Sequence, residues 1–167
     1  MTDTRPNDGK PNRGFAKKQQ KSASRLYAVQ ALYQMETSGQ SARAVVAEFL
    51  EHRFGATYDG AEMADGDPDH FRALVEEAVN WQARVDQATD RALQVKWPLG
   101  RIDSVLRALF RAAGAELTTQ DTPPRVVIKE FVDIAGAFFP DGREPGFVNG
   151  VLDHMAREAR PEAFEPR

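Results

Sequence analysis

Residues 101–138 read RIDSVLRALFRAAGAELTTQDTPPRVVIKEFVDIAGAF, and this stretch decides the fold class. Ile102, Leu106, Leu109 and Ala113 fall at i, i+4, i+7 and i+11, and Val127, Phe131, Ile134 and Phe138 repeat the same intervals. At 3.6 residues per turn each set gathers on one side of a helix, whereas a half-buried strand alternates with period two. Between the two sets, Gln120-Asp121-Thr122-Pro123-Pro124 reads as a turn, with proline suited to a first helical position. Asp103 stands where its carboxylate can cap the first helix or meet the positive end of its dipole. The nearest strand candidate, Arg125-Val126-Val127-Ile128, is short and runs straight into helical spacing. The stretch is a helix, a turn and a second helix.

The same period continues in both directions. Upstream, Leu26, Val29, Leu32, Tyr33 and Met35 recur at helical spacing from about Lys21, and Ser38-Gly39 ends the run. A second amphipathic run covers 41–53, with Val45, Val46, Phe49 and Leu50 on one side. Residues 55–69 (GATYDGAEMADGDPD) form a loop dense in Gly and Asp. A long helical pattern from about Asp69 to Lys96 has room for one break, and Trp97-Pro98-Leu99-Gly100 closes it. Downstream, a loop over Pro140–Pro145 precedes a last helix with Val148, Val151, Leu152 and Met155, stopped by Pro161. The expectation is an all-α domain of six or seven helices over residues 21–160, with a tail at 161–167. The first 20 residues, rich in Pro, Gly, Asn, Gln and Lys, bury too little apolar area to offset ordering entropy and are predicted to be a disordered arm.

Charge divides the chain at nearly the same place. Residues 1–25 hold seven Lys/Arg against two Asp, while the remainder holds fifteen against twenty-three Asp/Glu, so a +5 arm precedes a −8 body in a chain of net charge −3. A basic arm on an acidic body suits a protein that neutralises phosphates, and equally a solvated tail. With no cysteine among 167 residues, disulfides, thiolate metal sites and a cysteine nucleophile are excluded. No apolar run approaches the roughly 20 residues that span a bilayer, and no signal peptide is visible, so the expectation is a soluble cytoplasmic protein. His52, His70 and His154 lack partners at metal-ligand spacing, and there is no phosphate-binding glycine loop and no nucleophile elbow. Asp65, Asp67, Asp69 and Glu76 occupy calcium-loop positions, but His70 replaces the required glycine; helix capping by Asp67 or Asp69 explains them better. Neither enzyme chemistry nor a cofactor is expected.

Two stretches carry a resemblance. Ser24-Arg25-Leu26-Tyr27-Ala28-Val29-Gln30-Ala31-Leu32-Tyr33-Gln34, preceded by Lys17, Lys18 and Lys21, resembles the opening helix of the NusB family. Glu144-Pro145-Gly146-Phe147-Val148-Asn149-Gly150-Val151-Leu152-Asp153 resembles its last helix. Phe71–Leu74, Leu109–Ala113 with Glu116-Leu117, and Val127–Glu130 match intervening helices in order, over about residues 22–158. The resemblance implies a bundle of about seven helices in two packed three-helix units, without enzyme activity. It implies binding of the boxA element of ribosomal-RNA leader transcripts together with the small-subunit ribosomal protein that doubles as NusE, in an RNA polymerase antitermination complex. The chain departs from the family pattern in three places: Lys17-Lys18-Gln19-Gln20-Lys21 stands where some relatives are arginine-rich, Lys129 stands where the family often has asparagine, and the loop before Phe147 holds Arg143 and two prolines. A helical protein-interaction adapter without RNA affinity is the rival reading.

Lys17, Lys21 and Arg25 lie four apart and, if the first helix reaches back that far, form a cationic stripe for a phosphate backbone, with Lys18 beside it. Phe147, at the edge of the last helix's apolar face, is placed either to stack on a base or to act as a hydrophobic staple. Asn149, at the opposite edge, suits a base edge or the neighbouring backbone. Gln30 and Tyr33 are read either as weaker RNA contacts or as packing residues. By analogy with the family, Arg101, Arg107 and Arg111 are expected to face the ribosomal protein, and a homodimer is a further possible partner.

Overall fold

The computed structural model describes residues 13–55, 57–58, 61–62, 65–93 and 102–166. Seven α-helices follow in order: α1 Arg13–Ser38, α2 Ala42–Glu48, α3 Pro68–Asn80, α4 Gln82–Leu93, α5 Ser104–Thr119, α6 Pro124–Phe138 and α7 Glu144–Ala159. A π-helical turn, Phe49–Arg53, prolongs α2, and a 3-10 turn, Pro161–Phe164, follows α7. The predicted loop after α2 contains a two-by-two-residue antiparallel hairpin, β1 Thr57–Tyr58 and β2 Ala61–Glu62, pairing Thr57 with Glu62 and Tyr58 with Ala61. It is a detail of a loop in an otherwise all-α fold.

The expected local signals set most boundaries. Asp103 accepts the Val105 amide at 2.7 Å and starts α5, Pro124 opens α6, and Ser41 accepts the Ala44 amide at 3.1 Å at the start of α2. Gly39 closes α1 at φ +75°, a left-handed conformation that favours glycine. Asp67 accepts the His70 amide at 3.1 Å and caps α3, the role preferred for the acidic loop, while the exposed Asp69 lies 3.8 Å from Arg72. The long pattern expected from Asp69 to Lys96 breaks once, at Trp81 between α3 and α4, and its part beyond Leu93 lies outside the described residues. At the other end the expected boundary moves. Residues 13–20, assigned to the arm, are helical, because α1 begins at Arg13 and runs 26 residues.

The centre of the molecule is α5, which packs against α1, α3, α4, α6 and α7. Its run of small residues explains this: Ala108, Ala112, Ala113, Gly114 and Ala115 are all buried and let neighbours approach from several sides. Gly114 is the tightest approach, since a Cβ there would stand 2.4 Å from Val85 Cγ1 of α4. On the α1–α3 side the core is aromatic: Phe54 stacks on Tyr27 with centroids 4.7 Å apart, and Phe49 on Phe71 at 5.6 Å. On the other side Leu109, Phe131, Val148, Leu152 and Met155 fill the space between α5, α6 and α7. The two helical groups, α1–α3 and α4–α7, thus share one continuous core through α5.

Candidate nucleic-acid interface

The first turns of α1 carry Lys17, Lys18, Gln19, Gln20 and Lys21, all exposed. Their cations are unburied, within about 6 Å of rise along the axis. Arg25 does not join them. It is 3% exposed, and its guanidinium grips Glu116 of α5 through Nε–Oε1 and Nη2–Oε2, both 2.8 Å, while Nη1 lies 3.7 Å from Glu130 of α6. The expected three-cation stripe is therefore corrected to Lys17 and Lys21. The reason is rotation: eight residues turn a helix about 80° past two full turns, enough to carry position 25 from the solvent edge into the contact with α5 and α6.

Around that pair lies a buried polar cluster. Ser22 Oγ donates to Glu130 at 2.8 Å, and Ser24 Oγ accepts the Asp67 amide at 2.6 Å and reaches the Gln20 carbonyl at 2.8 Å. His70 Nε2 faces Glu116 Oε2 at 3.9 Å, too far for a hydrogen bond, and has no other protein partner among the described residues. Burial works to raise the Glu116 carboxyl, but the Arg25 hydrogen bonds and charge, with the Thr122 hydroxyl and His70, bring it below the usual carboxylate range. Burial holds the His70 imidazole below its ordinary value, with Arg25 and Lys21 in the same sense and Glu116 and Asp67 opposing. The cluster ties the lysine-bearing end of α1 to α3, α5 and α6 at once.

Gln30 and Tyr33 lie three to four turns further along α1. Tyr33 is 38% exposed, and with Gln30, Gln34, Thr37 and Arg53 it lines a groove floored by Val29, Phe49, Val105 and Phe138. Ser22 meets Glu130 where α1 packs on α6, and Gln30 and Phe138 line the same groove further along. The chain then turns through Phe139–Arg143 into α7. There Phe147 is half-buried and stands edge-on to Phe110 of α5, centroids 6.1 Å apart at 72°. Its ring is thus anchored against α5 of the core, with part of the ring open. Asn149 is exposed, as are Lys129 and Arg143; Lys129 pairs with Asp133 at 3.4 Å.

The arginines expected to meet a partner are placed differently. Arg107 binds Glu36 of α1 through Nε at 3.0 Å and the Ile102 carbonyl through Nη1 at 3.2 Å. Arg111 forms a two-bond fork with Asp86 of α4, each bond 3.0 Å, and lies 3.3 Å from Glu36. With side chains only 15% and 17% exposed, they brace α5 to α1 and α4. Arg101 lies outside the described residues. The sequence reading missed the role of Glu116, Glu130, Glu36 and Asp86, the acids that hold these arginines. Glu116 had a signal: a lone carboxylate inside the apolar run Ala112–Leu117.

A two-part helical bundle built around a small-residue helix, with an exposed basic end on its first helix, defines the class as a NusB-type fold. The NusB family model matches residues 22–157, and the chain belongs to that family. It is similar to the transcription antitermination protein NusB of Maricaulis maris, 50% identical over 143 residues covering 85% of this chain and 89% of that one. The same protein of Rhizobium leguminosarum is 44% identical, with 93% and 98% covered. Among solved structures, NusB of T. maritima superposes with a TM-score of 0.68 at 26% identity, covering 87% of this chain and 96% of that one. NusB in a crystal with NusE and double-stranded RNA gives 0.66 at 23% identity, with 82% and 96% covered, a likeness of fold.

Proposed function

We propose that this chain is an RNA-binding transcription antitermination factor, whose basic α1 end takes the phosphates of a single-stranded, boxA-like segment. The observation that carries this reading is the exposure of Lys17, Lys18 and Lys21 on a helix end held rigid by the buried Arg25–Glu116 pair. Rigid placement matters because charges fixed in advance lose little entropy when the strand arrives. From there the strand runs toward the open edge of Phe147, where a base stacks, with Asn149 at its flank. Gln30 and Tyr33 lie further along α1, in the groove beside Phe138 and on a face turned away from Lys17 and Lys21. By family, the ribosomal protein that doubles as NusE binds alongside and the pair acts on RNA polymerase in the cytoplasm, without covalent chemistry. Among the described residues no helix is long and apolar enough to cross a membrane.

The test is fluorescence anisotropy with a boxA-like RNA, with and without the ribosomal protein, at several salt concentrations. Three lysine–phosphate contacts give a log–log salt slope of about −2, at roughly 0.7 per contact on a single strand. Lys17→Ala with Lys21→Ala removes about 1.4 of that slope. Binding with no salt dependence, or undiminished binding by the double variant, refutes the lysine site, and no RNA binding with or without the ribosomal protein favours a protein-only adapter.

A further inference from the structure

Away from the basic end of α1, a cleft of about 350 Å3 opens between α4, α5 and the last two turns of α7. This is within the range of small-ligand sites, roughly 300–1,000 Å3. Its floor is apolar, formed by Val85, Leu117 and Met155, with Val85 and Met155 packed closely over Gly114. Trp81 forms one wall. Its indole N–H is already held by Glu77 at 2.9 Å, so the ring is fixed in place, and the Arg84 guanidinium lies over it at 5.3 Å from the centroid. Across the mouth, Arg91 is fastened to Glu158 at 2.6 Å. Arg84 is exposed and makes no ion pair with any described residue, in a body where most arginines are paired. It is an unspent cation beside an immobilised aromatic ring.

We infer that this cleft binds one nucleotide of an RNA strand, its base against Trp81 and the apolar floor and its phosphate on Arg84. Each part answers a need of that ligand. A base has two apolar faces, which stack on an aromatic wall whatever the sequence, and edge groups that suit the Thr118 hydroxyl and the Glu158 carboxylate at the rim. A phosphate needs a guanidinium free of any carboxylate, and Arg84 supplies it, with Arg91 as a second, shared donor. A purely apolar ligand would leave Arg84 unmatched, and an inorganic anion would leave the floor and the indole unused. The inference rests on the RNA-binding reading for its natural ligand, and lengthens the RNA footprint from the α1 end to the α4–α7 face.

The experiment uses the full chain with Trp97→Phe, so that Trp81 is the sole tryptophan. Its fluorescence is followed on titration with 5′-AMP, adenosine and inorganic phosphate at constant ionic strength. The expected result is saturable quenching by AMP, about tenfold weaker in Arg84→Ala and about tenfold weaker with adenosine, the loss of one charge-assisted hydrogen bond. Absence of saturation up to about 10 mM AMP overturns the inference. So does quenching equally strong in Arg84→Ala, or phosphate competing as well as AMP, which would mark a simple anion site. Arg84 is exposed, so its removal leaves the fold intact and the comparison clean. RNA binding through Lys17 and Lys21 is measured separately by anisotropy, so either reading can fail while the other stands.

Discussion

Replacing Arg25 by alanine separates a structural arginine from an RNA-binding one. In the folded protein its guanidinium is 3% exposed and makes two 2.8 Å bonds to Glu116, whose own side chain is fully buried. Arg25→Ala leaves that carboxylate without its guanidinium, and His70 stands 3.9 Å away, too far for a hydrogen bond. Removing one partner of a buried pair costs about 3–5 kcal/mol. For a domain of this size 1 kcal/mol shifts the melting temperature by roughly 2–4 °C, so the variant should melt about 6–20 °C lower. Thermal and urea unfolding measure this directly. Replacing both partners, Arg25→Met with Glu116→Leu, removes the stranded charge and should recover most of the loss. Below its melting point Arg25→Ala should bind RNA with an unaltered salt slope, because the arginine touches no phosphate. A variant that melts like the parent but loses about 0.7 of the slope would refute the argument and return Arg25 to the RNA surface.

Three further outcomes follow from the same geometry. Because burial lowers the His70 value, the unfolded chain takes up a proton below about pH 6.5 that the folded chain resists; the melting temperature should fall between pH 7 and pH 5, and fall less in His70→Gln. Gly114→Ala puts a Cβ at 2.4 Å from Val85 Cγ1, an overpacking that should cost about 1–3 kcal/mol in urea unfolding, and Val85→Ala in the same chain should restore part of it. Phe147→Ala should weaken RNA binding by about 1–3 kcal/mol in anisotropy with the salt slope unchanged, as expected for a stacking contact; an unaltered affinity would leave Phe147 as a core contact to Phe110 only.

The fold was legible because its signals are local. Two identical apolar spacings in residues 101–138, Gly39 at the end of α1, Asp103 and Pro124 at helix starts, and the single break in the 69–96 pattern each depend on a few neighbouring residues. The start of α1 was not legible for the same reason. Residues 13–20 (RGFAKKQQ) have no apolar stripe, and composition alone argues against order. What extends the helix is its attachment further on: the Asp67 amide donates to the Gln20 carbonyl at 3.3 Å, and Ser24 reaches both Gln20 and Asp67. Those contacts come from a segment 43 positions away in sequence. Once residues 20–25 are fixed as helix, adding turns backward costs no new nucleation.

The site was legible in residue type and not in direction. Arg25, Arg107 and Arg111 were read as outward cations since arginine is rarely buried alone, and period arithmetic places a residue on a helix without saying what the neighbouring helix offers it. The answer lay in acids elsewhere: Glu116 is 91 residues from Arg25, and Glu36 is 71 from Arg107. Glu116 could have been paired from sequence by elimination, because a carboxylate among Ala112, Ala113, Ala115 and Leu117 must be buried, and a buried carboxylate requires a cation on a facing helix. Lysine is a poorer candidate for that cation: its single ammonium cannot match both carboxylate oxygens, and its greater hydration makes burial dearer. The same logic sorts Lys17, Lys18, Lys21 and Arg25. The lysines stay in water, where exchangeable point charges suit a mobile phosphate chain, and Arg25 goes inside, where a fixed two-bond fork sets the angle at which those lysines are presented.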